Sequence, residues 1–424
     1  MVRGSCSVRR GSHDALVADE RLATELRASI ATADVPPDEL AMLINNTFRH
    51  GRMLGGSREV LCGQSDEEVA LRLVYAKSGR FSVVTEPALK DEDARTLIRL
   101  INVLECGGKP TVWRRVLFAS LPVDGFFRYE DRWQIRPVPP DAPQPPVVRA
   151  PQPFLLEVKG TAVSESFVSA IRGEKLLSEV QLVLALVLHG GLAGGSTSAH
   201  HEWVIETSDA NPPWRSLLGQ VGYSLPTSPG PPNELSDVSD YKPLVEVPAA
   251  RYFERFGISI NQTLEIPDLL PPLLRAIDTA PPSVRERFFR ASYWFSRSQP
   301  SWRVSRSLSY VSLINAIEVL TPAASADLCP TCGLNRAPGP TVRFRDFVER
   351  YAGSVPERKE LYRLRSQLVH GDQLLISDGP MGMGFTPQLI EESSQYELAS
   401  RTAQIVVIAW LLDAVASIGG VSDA

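Results

Sequence analysis

The sequence predicts an α+β protein in which an N-terminal mixed α/β domain precedes an all-α helical bundle, and three observations carry that prediction. Apolar and polar residues alternate with period two in several short runs between residues 69 and 158, the pattern of half-buried strands. From Pro281 onward the apolar spacing turns helical and strand signals stop. A length of 424 residues exceeds the usual size of one domain, so two cores are expected.

In chain order, residues 1–12 read as a flexible tail, and helical spacing covers Ala15 to Ala31 and Pro37 to Leu54. Val69 to Tyr75 and Phe81 to Thr85 read as a hairpin whose turn uses Gly79. Asp91 to Leu104 reads as a helix, because Asp91, Glu92 and Asp93 suit the positive end of a helix dipole. Strand runs follow at Val112 to Phe118, Phe126 to Ile135 and Phe154 to Val158. Eight prolines between Pro137 and Pro153 argue against regular helix or a central strand there. A second stretch rich in Pro, Gly, Ser and Asp, from Pro226 to Pro248, marks a soft boundary. The mixed domain is therefore placed at residues 13–250, a transition segment at 251–280 and the helical domain at 281–424. Helices are expected in the last at Ser283 to Ser298, Ser305 to Leu320, Phe344 to Tyr351, Pro356 to Val369 and Pro387 to Ile418.

A net charge of −5 gives no global attraction to nucleic acid, so binding to RNA would have to be local. Residues 281–424 hold fourteen Arg but one Lys, a bias that favours bidentate and stacked contacts and that GC-rich coding would equally produce. Five cysteines, Cys6, Cys62, Cys106, Cys329 and Cys332, are too scattered for a disulfide framework, which fits a reducing cytoplasmic setting. No apolar run of signal-peptide length follows the basic first residues. The longest apolar runs, Val180 to Leu188 and Ile405 to Leu412, are too short to span a bilayer and read as buried helices.

The most specific segment is Leu361-Tyr362-Arg363-Leu364-Arg365-Ser366-Gln367-Leu368-Val369-His370-Gly371. Leu361, Leu364 and Leu368 form a helical stripe, Pro356 suits a first turn, and Gly371 suits the left-handed position that ends a helix. Arg365 carries a fixed fork of donors for a phosphate, and His370 is the side chain best suited to proton transfer near neutral pH. A five-residue step turns an ideal helix by about 140°, so the two do not share a face of one chain. A two-fold dimer removes the difficulty, because an isologous contact brings two copies of a motif together about its axis. In the plain structural alternative, Arg365 pairs with an acid such as Glu318 or Glu360, and His370 is a polar helix cap.

This segment resembles the HEPN superfamily, whose signature is Arg, four to six residues, then His, and more closely its Apea-like branch. The resemblance rests on Tyr362, Arg365, Ser366, Val369, His370 and Gly371, with the upstream helix Asn315-Ala316-Ile317-Glu318-Val319-Leu320, and covers about residues 281–424. It implies a HEPN-type helical bundle and a metal-independent endoribonuclease that works as a homodimer in toxin-like or antiviral defence. It also implies Arg365, His370 and Ser366 as catalytic residues, with Glu318 and Tyr362 in support. Ser366 stands where Asn, Asp or His often follows the arginine, and its hydroxyl can still orient a phosphate oxygen. RNA is the expected partner, with no DNA, membrane, metal or cofactor, and a non-catalytic HEPN module for dimerisation or RNA binding is the alternative.

Other signals are weaker. Arg285 to Arg306 interleaves arginines with Phe288, Phe289, Tyr293, Trp294, Phe295 and Trp302, which suits either a strand of RNA or a helix core. Arg287, Arg290 and Arg297 are the RNA-binding candidates there. Cys329 and Cys332 have the spacing of half a zinc knuckle, which would need a second pair from a dimer partner. His189-Gly190-Gly191 lacks a nucleophile elbow elsewhere, and Gly107-Gly108-Lys109 lacks the rest of a phosphate loop. His200 and His201 would point apart on a strand.

Overall fold

The computed structural model describes residues 20–33, 35–48, 50–53, 58–65, 67–76, 81–105, 108–142, 152–163, 166–188, 192–193, 206–207, 214–215, 233–254, 262–302, 304–323, 337–379 and 386–419. It is a mixed α+β chain, with antiparallel sheets in the N-terminal half and helices in the C-terminal part. Two compact units divide it as Met1–Thr111 with Gly160–Glu174, and Val112–Lys159 with Lys175–Ala424. The boundary expected near residues 250–280 falls inside the second unit.

In the first unit, α1 (Glu20–Thr32) and α2 (Pro37–Thr47) lead into strands β1 (His50–Met53), β2 (Glu59–Gly63), β3 (Val69–Tyr75) and β4 (Phe81–Thr85), followed by α3 (Asp91–Glu105). The strands form an antiparallel meander in sequence order. Leu26, Ile44, Leu71, Leu73, Leu97 and Ile101 are buried together between sheet and helices, the product of period-two and period-3.6 apolar spacing meeting on one core. The helix expected to Leu54 stops at Thr47, because residues 50–53 pair with β2 and that ladder outweighs local periodicity. Val163 and Val168 complete this core from much later in the chain. Gly108 passes so close to the Ala162 carbonyl that a Cβ would sit 2.0 Å from its oxygen, so only glycine fits there. The turn expected at Gly79 lies outside the described residues.

The second unit is built on a sheet in the order β6-β7-β8-β5-β9, from β5 (Lys109–Ala119), β6 (Phe127–Tyr129), β7 (Trp133–Pro137), β8 (Gln152–Ala162) and β9 (Leu192–Ala193). The single strand expected from Phe126 to Ile135 is a hairpin, reversed at Glu130, whose φ of 49° is left-handed. Pro137 and Pro153 sit at strand ends, where a missing N–H removes little of the ladder. Then come α4 (Ser166–Val187), the short pair β10 (Glu206–Thr207) and β11 (Trp214–Arg215), β12 (Val245–Val247), α5 (Ala249–Glu254), β13 (Glu265–Pro267) and α6 (Leu270–Thr279). The helices of the C-terminal part are α7 (Pro282–Ser301), α8 (Arg306–Glu318), α9 (Pro340–Ala352), α10 (Glu360–His370) and α11 (Pro387–Gly419), with a 3-10 turn at Pro356–Lys359.

One continuous core joins the sheet residues Leu117, Ile135, Phe154 and Leu156 to Leu273 of α6, Phe288 of α7, Leu313 of α8, Leu364 of α10 and Val407 of α11. The helices after Pro281 therefore share their core with the sheet, and α6, expected as part of a transition, lies within it. Helix α11 is long and apolar enough to cross a membrane by length and composition, although the apolar run itself was expected to be too short. Its Ala399, Ala403, Val406, Val407 and Leu411 are fully buried in the same core.

The opposite face of this sheet carries a small apolar cluster of Val138, Ala142 and Leu155 beside a buried polar one. Arg128, Gln134 and Glu157 are cross-strand neighbours, and Glu157 is fully buried. Its carboxylate accepts from Arg114 Nε at 2.9 Å, Arg136 Nη2 at 3.0 Å and Gln134 Nε2 at 2.7 Å. Ser236 adds its N–H at 2.9 Å and its hydroxyl at 2.7 Å, which ties the segment around Ser236 to the sheet. Burial alone would raise the Glu157 carboxyl, but the Ser236 bonds, Arg136 and Gln134 outweigh it and hold it below the ordinary carboxylate range.

Candidate functional site

The site is built on α8 and α10. Ser305 caps the start of α8, its hydroxyl accepting from the Leu308 N–H at 3.1 Å. Asp378 reinforces that cap, accepting from Ser305 Oγ and the Arg306 N–H, both at 2.7 Å, and from the Ser307 N–H at 2.8 Å. The Leu375 N–H donates to Ser307 Oγ at 3.0 Å, and the N–H groups of Ile376 and Ser377 donate to Glu392 of α11. The residues that follow His370 are thus fixed to the N-terminus of α8. Helix α10 ends as the leucine stripe and Gly371 predict: Gly371 is left-handed at φ 77°, and Asp372 N–H closes onto the Gln367 carbonyl at 3.0 Å.

Glu318 is the last residue of α8. Arg365, from the middle of α10, donates through Nη2 to Glu318 Oε2 at 2.7 Å. Both side chains remain partly open, at 22% and 26% exposure, and a pair so placed is worth about 0.2–1 kcal/mol. The guanidinium lies 5.7 Å from the Tyr362 ring centroid, and Tyr362 packs on Phe344 of α9 at 4.9 Å. Burial raises the Tyr362 phenol above its usual range; the Glu318 charge raises it further and Arg365 opposes both. The buried Arg365 Nε–H has no acceptor among the described residues.

Three of the five expected site residues, Arg365, Glu318 and Tyr362, therefore meet. Ser366 is half-buried on the same helix, and His370 is exposed at its end, with no side-chain hydrogen bond among the described residues. The pairing of Arg365 with Glu318 is the one foreseen in the plain structural alternative, whereas Glu360 pairs with Arg363 instead. Periodicity did not point to Arg343. It lies near enough to Tyr362 for its charge to act on the phenol, and it bridges the Pro322 and Pro338 carbonyls at 2.7 and 3.2 Å.

The α7 arginines have separate surroundings. Arg287 donates to the Leu320 carbonyl at 2.7 Å beyond the end of α8 and lies over Trp410. Arg290 pairs with Glu286, and Arg297 lies 4.9 Å from the exposed Tyr293 ring. Phe288 and Phe295 are core residues, so the aromatics of this stretch divide between core and surface. Cys329, Cys332, His189, His200 and His201 lie outside the described residues. Among the described residues no three His, Cys, Asp or Glu side chains are grouped so that they could hold a metal ion. No protein-family model matches this sequence, and no curated protein or solved structure matches it either.

Proposed function

We propose that the chain is an endoribonuclease of the Apea-like HEPN type that acts as a homodimer in the cytoplasm and needs no metal. The observation that supports this most is the pairing of a partly open guanidinium, Arg365 of α10, with the Glu318 carboxylate of α8 and the Tyr362 phenol of α10, while His370 ends α10 in solvent. In the proposed reaction a ribose 2′-OH attacks the adjacent phosphorus as the P–O5′ bond breaks. One His370 accepts the 2′-OH proton and the other protonates the departing 5′ oxygen, leaving a 2′,3′-cyclic phosphate and a 5′-OH. Arg365 stabilises charge on the phosphorane, and Ser366 orients a phosphate oxygen. Placed proton transfer supplies about 10² to 10⁴ in rate, and fixed charge comparable amounts. Arg290 and Arg297 on the solvent face of α7 would contact flanking phosphates.

Arg365→Ala and His370→Ala are each expected to abolish RNA cleavage in the presence of chelator, with the thermal unfolding midpoint retained. Parental cleavage by either variant would remove the site from consideration. The second reading, a non-catalytic HEPN module, is favoured by the Glu318 contact that already engages Arg365; it predicts salt-dependent binding with intact RNA and no cyclic phosphate ends.

A further inference from the structure

Glu318 holds the group that the substrate would need. Its carboxylate accepts the Arg365 Nη2–H at 2.7 Å, the kind of bond that an RNA phosphate oxygen would take. The Tyr362 phenol also bonds to this carboxylate, but α8 itself gives it no support. Glu318 closes α8, where the helix dipole presents its negative end, and the donors that Arg287 brings there go to the Val319 and Leu320 carbonyls. The contact uses one guanidinium nitrogen, and the buried Nε–H is left without an acceptor. Both partners keep about a quarter of their surface in solvent, so a competing anion has a path to them.

We infer that Glu318 is a resident competitor for the oxyanion that Arg365 binds, so that the free protein shields its own phosphate site and RNA must displace the carboxylate. This rests on the proposal that Arg365 contacts an RNA phosphate. It assigns Glu318 an opposing role in the free protein, beyond that of a supporting residue.

The test uses the full chain and a mixed-sequence 2′-O-methyl RNA oligonucleotide, which cannot undergo 2′-OH attack, with affinity read by fluorescence anisotropy. Glu318→Gln keeps the side-chain shape and the bond to Arg365 but removes the charge, and is expected to bind about three- to tenfold more tightly. Glu318→Asp keeps the charge and is expected to stay within about twofold of parental. In an Arg365→Ala background, Glu318→Gln is expected to give no gain, because the competition is for Arg365. Equal or weaker binding by Glu318→Gln overturns the inference, as does a gain that persists without Arg365. Should Glu318→Gln unfold, Glu318→Ala carries the same comparison. If Arg365→Ala alone leaves affinity unchanged, the proposed phosphate site itself fails; if Arg365→Ala weakens binding and Glu318→Gln gains nothing, only the competitor role fails.

Discussion

At residue 371 the backbone is left-handed with nothing within 4 Å of the position a Cβ would take, so an added methyl meets no neighbour and its cost is purely conformational. Gly371→Ala should therefore destabilise the second unit by about 1–2 kcal/mol, read as a lower urea midpoint at unchanged slope. His370 would move with the loosened helix end, so under the proposed nuclease function RNA cleavage should fall by more than the loss of folded protein. Gly371 was legible in the sequence because the rule that places it is local. The partner of Arg365 was legible only as a choice between Glu318 and Glu360, since spacing brings Glu360 near in sequence and only folding brings Glu318 near in space. Arg343 and Asp378 carried no periodic signal, because Arg343 binds backbone carbonyls and the Asp378 partners lie about seventy residues earlier in the chain.

Among the elements, α8 depends on a cap from outside itself. Asp378→Ala removes the acceptor for two N–H groups and one hydroxyl at its first turn, at a cost of about 1–2 kcal/mol. Hydrogen exchange should then rise in the first turn of α8 and in residues 371–379 together, because the same carboxylate ties both. Exchange confined to one of them would show that the tie does not couple them. The helices of the C-terminal part and the strands β3 and β4 were readable from periodicity because their apolar faces meet large cores. Strands β1 and β2 were not, since their ladder depends on pairing between segments whose own pattern is ambiguous. The β6–β7 hairpin was hidden because its turn, residues 130–132, opens on Glu130 in a left-handed conformation that a glutamate rarely adopts, and Asp131 alone did not mark it.

For the molecule as a whole, the fully buried Glu157 is the charge on which one face of the larger sheet closes. Glu157→Gln leaves Arg114 and Arg136 with a neutral partner and should cost about 3–5 kcal/mol at neutral pH. The sign with pH follows from the depressed carboxyl: its contribution is complete above the unfolded value of about 4.3 and is lost as pH falls through the lower folded value. The gap in melting temperature between parental and Glu157→Gln should therefore close on acidification, and a constant gap from pH 7 to 3 would refute this role. Domain division was the least legible property of the sequence. Composition marked a soft boundary at residues 226–248, but it does not coincide with a cut between units, because long-range core packing sets those cuts.

The path of the chain through its two units bears on how it is made. The first unit lacks Gly160–Glu174 until Val112–Lys159 has been synthesised, and those intervening residues belong to the second. At about 5–20 residues per second, the nascent N-terminal sheet waits several seconds on the ribosome before Val163 and Val168 arrive to close its core. The strands of the second unit wait longer, because the core of Leu117, Ile135 and Phe154 is complete only when the last helix emerges.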